Sequence, residues 1–122
     1  GADGISNLKL QKLLYYAQSA YLALKNTPLF SNNIIAWKHG PVVEEVYQKY
    51  KKYGSDDIKE FDKVDIDKET EKILTEVYNV FGEYSAWGLR NLTHTEKPYI
   101  ETKINNVIPQ DLMKESFKEN YV

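Results

Sequence analysis

The sequence contains no cysteine. This absence excludes a disulfide framework, a thiolate zinc site and a thiol nucleophile. The sequence also lacks an apolar run close to the roughly 20 residues that a membrane-spanning helix requires, and it shows no signal-peptide pattern. We therefore expect a cytoplasmic protein that makes no contact with a membrane.

Arginine is nearly absent as well, since Arg90 is the one arginine in the chain. The formal net charge is −2 and the pI is about 5.7. Proteins that bind nucleic acids usually carry a strong basic stripe, so nucleic acid is an unfavoured partner. The charges are unevenly distributed, because residues 1–55 have a balance of +4 whereas residues 56–76 have a balance of −5.

Few side chains could support catalysis. The chain has two histidines, His39 and His94, and its six glycines are scattered rather than grouped into a phosphate-binding loop. His94, Glu96 and Pro98 superficially match part of the zinc-deaminase signature, but the cysteine ligands are missing. We predict no catalytic residue, no cofactor and no metal. We expect His39 to lie in a turn and His94 to end a helix, where an imidazole suits the helix dipole.

The length of 122 residues favours one domain. The first four residues lack an initiator methionine and are expected to be a trimmed end, so we assign the domain to residues 5–122. The hydrophobic pattern predicts a mainly α fold. This fold is a compact, single-domain bundle of about five helices with a short two-stranded β element.

The first predicted helix has apolar residues at helical spacing from Leu10 to Leu24. Ser6 or Asn7 is the expected N-cap, and the segment that starts at Asn26 ends the helix. A second apolar stripe runs along another side, formed by Leu8, Tyr15 and Leu22. A helix that is apolar on more than one side is typically surrounded by neighbours, so we expect it at the centre of the fold.

The middle of the chain is predicted to contain a strand and a second helix. Residues Ile34–Trp37 are a β-favouring run. Gly40-Pro41 is expected to begin the helix, with proline in the first helical position, and Gly54 to end it. The acidic connection that follows contains a second candidate strand at Ile58–Phe61. The predicted helix has these residues on its buried face: Val43, Val46, Tyr47 and Tyr50.

Three more helices are expected in the second half. Asp67 is the predicted N-cap of a helix that breaks at Gly82. Ser85 is the predicted N-cap of a short helix that follows. Residues Thr93–Lys103 are expected to be an ordered loop that contains a proline. Pro109 is expected to begin the last helix, which has Leu112, Met113, Phe117 and Tyr121 on one side.

Aromatic residues are the chain's most unusual feature, with ten tyrosines and two tryptophans. Such side chains are common in cores, and they anchor protein interfaces where they are exposed. Some of them fall in the segments described next, together with the histidines. The candidate partner-binding residues are Trp37, His39, Tyr47, Tyr50, Trp87, His94, Pro98 and Tyr99.

Three segments occur in an order and spacing typical of one family. They are Ile5–Gln18, then Ala36–Val43 followed by Tyr47, and finally Leu92–Tyr99. Together they resemble the Panacea domain family, also known as the SocA-like or phage-associated GepA-like family. The resemblance extends from Ile5 to near the C-terminus.

The resemblance implies an antitoxin that neutralises a cognate toxin protein by direct contact. An alternative within the family is an adaptor that delivers the toxin to a AAA+ protease. From the residues alone, a small enzyme that depends on His39 or His94 and a DNA-binding regulator stay open as further alternatives, although the acidic pI argues against DNA. A homo-oligomer is also left open.

Two features differ from the family pattern. Members usually have an additional helix before the segment that begins at Ile5. If that helix covers the stripe of Leu8, Tyr15 and Leu22, its absence is expected to expose apolar surface. The second difference is Tyr99, where many members have tryptophan; a large aromatic side chain is retained, so we expect no loss of function.

Overall fold

The computed structural model describes residues 4–60 and 63–122. The regular structure in these two ranges is mainly helical, with one short antiparallel hairpin. In chain order the elements are α1 (Asn7–Lys25), β1 (Ile35–Trp37), β2 (Gly40–Val42), α2 (Glu44–Tyr50), a 3-10 turn (Lys51–Tyr53), α3 (Lys68–Phe81), α4 (Ala86–Thr93), α5 (Lys97–Ile100) and α6 (Gln110–Tyr121). The predicted fold class is confirmed.

Helix α1 begins and ends where its sequence predicts. The Ser6 hydroxyl accepts a hydrogen bond from the Lys9 amide at 3.2 Å, which satisfies one of the free amides of the first turn. Asn26 ends the helix in the left-handed conformation, with φ of 58°, and its amide donates to the Leu22 carbonyl oxygen. Asparagine tolerates this conformation better than most residues, so the stop is encoded locally.

The core is built around α1, against which α3, α4, α6 and β2 all pack. The predicted central position of this helix is confirmed. Of the second stripe, Tyr15 and Leu22 are buried and Leu8 is half-buried. The other described elements therefore cover most of this stripe.

The segment Gly40-Pro41 does not begin a helix, which corrects the prediction. Gly40 has a φ of 111°, outside the helical range, and both residues lie in β2. Pro41 pairs with Ala36, whose own amide and carbonyl bond to Asn106 and Asn105 on the opposite edge of β1. The pair therefore needs no amide from Pro41, and proline is tolerated there. Helix α2 begins three residues later, at Glu44.

The rest of the predicted second helix is partly correct. Val43 is buried, whereas Val46, Tyr47 and Tyr50 are only half-buried. The chain passes into the 3-10 turn after Tyr50, and Gly54 ends it.

Two further predictions also need correction. Residues Ile58–Glu60 form no strand, although the Ile58 amide donates to the Ile5 carbonyl oxygen at 2.9 Å. The last residue of that predicted strand, Phe61, lies outside the described residues. The predicted loop Thr93–Lys103 contains α5, because Pro98 occupies the first turn of a helix, where its missing amide costs nothing.

The remaining helices begin as predicted. Asp67 accepts from the Thr70 amide at the start of α3, and Ser85 accepts from the Gly88 amide at the start of α4. Pro109 immediately precedes α6. Within the described part of the chain, no helix is both long enough and apolar enough to cross a bilayer.

Candidate functional site

A buried carboxylate lies at the junction of α1, the start of α5 and α6. Glu96 is 5% exposed. Its Oε1 accepts a hydrogen bond from the Tyr15 hydroxyl at 2.9 Å, and its Oε2 accepts from Tyr16 at 3.1 Å and Tyr121 at 2.6 Å. We call these four residues the tyrosine–glutamate cluster. It encloses no space that a water molecule could occupy.

The electrostatics of this cluster indicate a structural role. Burial raises the pKa of Glu96 above its ordinary value, and the three hydroxyl donors partly offset that rise. Burial and the adjoining carboxylate also raise the pKa values of all three tyrosines. Because the cluster is sealed and internally paired, it joins the helices and has no room for a substrate.

Buried polar side chains of α1 hold the hairpin and the start of α2. Lys12 is 0% exposed, and its Nζ donates to the Pro41 carbonyl oxygen at 3.0 Å. Gln11 accepts from the Val43 amide at 2.8 Å, and Asn7 donates to the Tyr47 carbonyl oxygen at 3.1 Å. These polar residues of the first motif therefore act within the fold, by fixing the segment that carries the second motif.

The position of Lys12 gives stability an unusual pH dependence. Burial, followed by the nearby charge of Arg90, lowers the pKa of Lys12 to about 7 from an ordinary 10.5. Between these values the unfolded chain holds a proton on Lys12 that the folded chain lacks. Stability should therefore rise with pH in this window, by up to about 1.4 kcal/mol per pH unit.

The matched variant for this prediction is Lys12→Met, which removes the titrating amine and keeps a long side chain. Urea unfolding of both proteins from pH 7 to pH 9.5 should show wild type gaining stability relative to the variant as pH rises. Two curves that stay parallel across this range would contradict the assignment.

Aromatic and imidazole side chains gather around the turn of the hairpin. Tyr99 donates its hydroxyl to the Trp37 carbonyl oxygen at 2.6 Å, and the Nε2 of His94 lies 3.2 Å from the Lys38 carbonyl oxygen. The rings of His94 and Tyr99 are 4.3 Å apart between centroids. These two residues of the third motif therefore hold the hairpin turn through contacts with its backbone carbonyl oxygens.

The outer side of the same turn is open to solvent. Trp87 is 53% exposed, and its ring centroid lies 5.9 Å from that of the exposed His39. The guanidinium of Arg90 lies 4.5 Å from the Trp87 ring centroid, in cation–π contact. On the β1 side, Trp37 and Tyr47 meet edge to face at 5.0 Å. We call the following residues the hairpin surface: Trp37, His39, Tyr47, Trp87, His94 and Tyr99.

Two of the eight candidate residues fall outside this group. Pro98 is buried in α5, where it shapes the helix start. Tyr50 is half-buried on α2, and the Nζ of Lys49 lies 5.3 Å from its ring centroid. The structure thus brings six candidates together around one turn.

A groove of about 530 Å³ adjoins the hairpin surface. Its walls are mostly apolar and aromatic, and the residues that matter most to its chemistry are Leu8, Lys12, Trp37, Tyr47, Lys51 and Ile104. We call it the basic groove. Lys12, Lys51 and Ile104 were not among the sequence candidates. No local pattern marks them, because they come from three segments that only the fold brings together.

The described residues offer little for metal binding or histidine catalysis. Across residues 4–60 and 63–122, no group of three or more histidine, aspartate or glutamate side chains could hold a metal ion. Both ring nitrogens of His94 face backbone carbonyl oxygens, at 2.7 Å from that of Arg90 and 3.2 Å from that of Lys38. The expected position of His94, at the C-terminal end of α4, is confirmed.

Fold and site together define a small helical domain with an exposed aromatic surface and an adjoining basic groove. Comparison with known proteins identifies its family. The chain belongs to the family described as Antitoxin SocA-like, Panacea domain, whose model matches residues 10–100. This confirms the resemblance found in the sequence.

One curated relative is Antitoxin SocA of Caulobacter vibrioides (strain NA1000 / CB15N), which is 48% identical over 50 residues. The match covers 41% of this chain and 27% of the relative, so it spans about a quarter of that protein's length. No solved structure matches the chain.

Proposed function

We propose that this chain is a cytoplasmic antitoxin that neutralises a partner toxin by direct contact through its hairpin surface. Membership of the SocA-like family supports the antitoxin role, and so does the similarity to Antitoxin SocA. Direct contact is favoured because the chain presents large aromatic side chains on a well-supported frame.

The observation that carries the proposal is the exposure of Trp87. Trp87 has about half of its surface exposed to water, its ring lies beside that of His39, and the guanidinium of Arg90 lies over it. Tryptophan and arginine are the residues that most often dominate the binding energy of protein interfaces. Tyr99 and His94 hold the adjoining turn, so little order has to be gained on binding.

A binding role also explains where the ionisable groups lie better than a catalytic one. Glu96 is sealed among tyrosine hydroxyls, and the nitrogens of His94 face carbonyl oxygens. General acid–base catalysis requires a group within hydrogen-bond reach of a substrate. Neither of these side chains offers that access.

The test is co-expression with the product of the adjoining gene in the source genome. We expect growth arrest by that product to be relieved and the two proteins to purify as one complex. Unrelieved arrest with no complex would refute the proposal. Measuring the toxin's half-life separates two mechanisms, because sequestration preserves the toxin whereas an adaptor to a protease shortens its half-life.

A further inference from the structure

We infer that the basic groove binds an acidic segment of the toxin, with an apolar side chain of that segment against the aromatic wall formed by Trp37 and Tyr47. This inference rests on the proposed function and specifies the chemistry of the toxin segment that would bind in the groove. It follows from the charges of the residues that line the groove, the protonation of Lys12 beneath it, and the apolar character of its walls.

The charges lining the groove are of one sign. Lys12, Lys38 and Lys51 line it, and neither aspartate nor glutamate is among its lining residues. A groove lined by lysines concentrates negative charge and disfavours a basic partner segment.

Lys12 lies beneath the groove and is 0% exposed, so a partner in the groove can act on it through its charge but not by direct contact. The hydrogen bond described for its Nζ goes to the Pro41 carbonyl oxygen. Its pKa is lowered to about 7 because burial and Arg90 oppose the charged form. A partner carboxylate would supply the missing counter-charge and favour the protonated amine, so binding should take up protons and tighten as pH falls from 8.5 to 6.5.

The walls provide the apolar half of the site. Trp37 and Tyr47 stand edge to face at a centroid distance of 5.0 Å, and Leu8 and Ile104 complete the lining. Ile104 is 51% exposed, so the groove is open to a partner chain. Its volume of about 530 Å³ lies within the roughly 300–1,000 Å³ typical of ligand sites.

The first experiment uses a six-residue peptide, capped at both ends, with leucine and phenylalanine at its centre and two acidic residues on either side. We expect it to shift the NMR signals of Trp37, Tyr47 and Lys51, with weaker binding at pH 8.5 than at pH 6.5. The same peptide with amides in place of the carboxylates should bind at least five-fold more weakly. Equal binding of the two peptides, or shifts outside the groove, would overturn the inference.

The second experiment uses Lys51→Glu, with Lys72→Glu on α3 as the matched control. Both lysines are exposed, and only Lys51 lines the groove. We expect Lys51→Glu to weaken binding of both the acidic peptide and the toxin at least ten-fold, and Lys72→Glu to leave both within two-fold. Neutralisation that persists unchanged in Lys51→Glu would overturn the groove assignment and leave the proposed function standing.

Two other outcomes are also decisive. If wild type fails to neutralise the adjoining toxin, the proposed function fails, and with it the assignment of the groove to a toxin segment. The exposed stretch Val64–Asp67 of a second copy has the same acidic and apolar character. Concentration-dependent association seen by ultracentrifugation in wild type, and lost in Lys51→Glu, would make a second copy the occupant and overturn the assignment to another protein.

Discussion

Replacement of Glu96 by alanine is expected to lower the free energy of unfolding by about 3–5 kcal/mol. The change removes the acceptor of three tyrosine hydroxyls, two of which belong to the buried residues Tyr15 and Tyr16. Each buried donor left without a partner costs roughly 1–3 kcal/mol, and the lost side-chain volume adds a cavity cost. Urea unfolding followed by circular dichroism measures the effect.

Two graded controls accompany this variant. Tyr121→Phe removes one of the three donors and should cost only about 1 kcal/mol. Glu96→Gln keeps the shape but not the ionisation. Because burial raises the pKa of Glu96, the folded chain takes up this proton at a higher pH than the unfolded chain.

Wild type should therefore gain stability relative to Glu96→Gln as pH falls through the folded pKa toward 4.5, the ordinary value. A Glu96→Ala variant that loses less than 1 kcal/mol would show that the cluster does not support the fold.

Gly40→Ala is expected to destabilise the chain by about 3 kcal/mol. The φ of 111° at this position is strained for any residue with a side chain, at a cost of roughly 1–3 kcal/mol. An added Cβ would also lie 2.7 Å from Cε of Lys12 and 3.1 Å from Oγ1 of Thr93. Lys12 would have to shift and weaken its hydrogen bond to Pro41. Urea unfolding gives the size of the loss.

Gly54→Ala separates the two causes. Gly54 also has a positive φ, of 57°, but an added Cβ would meet no atom within 4 Å. Its ψ of −125° lies outside the left-handed helical region, so this variant should show a backbone cost alone, roughly 1–3 kcal/mol and less than the loss in Gly40→Ala. If the two alanine variants are equally destabilised, the close packing of Lys12 under Gly40 contributes nothing to stability.

Local signals were sufficient to predict the long helices. The caps of α1, α3 and α4 are hydrogen bonds between residues three apart, made by Ser6, Asp67 and Ser85. Such contacts depend on little besides the neighbouring sequence, so they can be predicted before the fold is known. The apolar periodicity of α1 similarly indicated its central position.

The hairpin illustrates where local signals fail. Gly40-Pro41 has the composition of a helix start, yet its conformation depends on Ala36, whose edge is occupied by Asn105 and Asn106. Asn105 and Asn106 lie almost 70 residues further along the chain, so no local pattern predicts their pairing with Ala36. The basic groove could not be predicted for the same reason, because it forms only where the fold places Ile104 beside α1 and the 3-10 turn.

The buried polar residues of α1 could not be predicted for the same reason. Lysine is seldom buried, so Lys9 and Lys12 would be assigned to the surface on composition alone. Their partners are the carbonyl oxygens of Gly82 and Pro41, which lie 73 and 29 residues away. Glu96 was singled out only as part of an apparent zinc motif, and the fold instead places it among tyrosines.

The most direct test of contact through the hairpin surface is the affinity of Trp87→Ala for the purified toxin, measured by calorimetry beside wild type. Trp87 is 53% exposed and lies outside the buried core, so the variant should fold normally. We expect its Kd to rise about 30- to 1,000-fold, the effect of removing an interface anchor worth roughly 2–4 kcal/mol. A Kd within three-fold of the wild-type value would contradict the assignment of this surface.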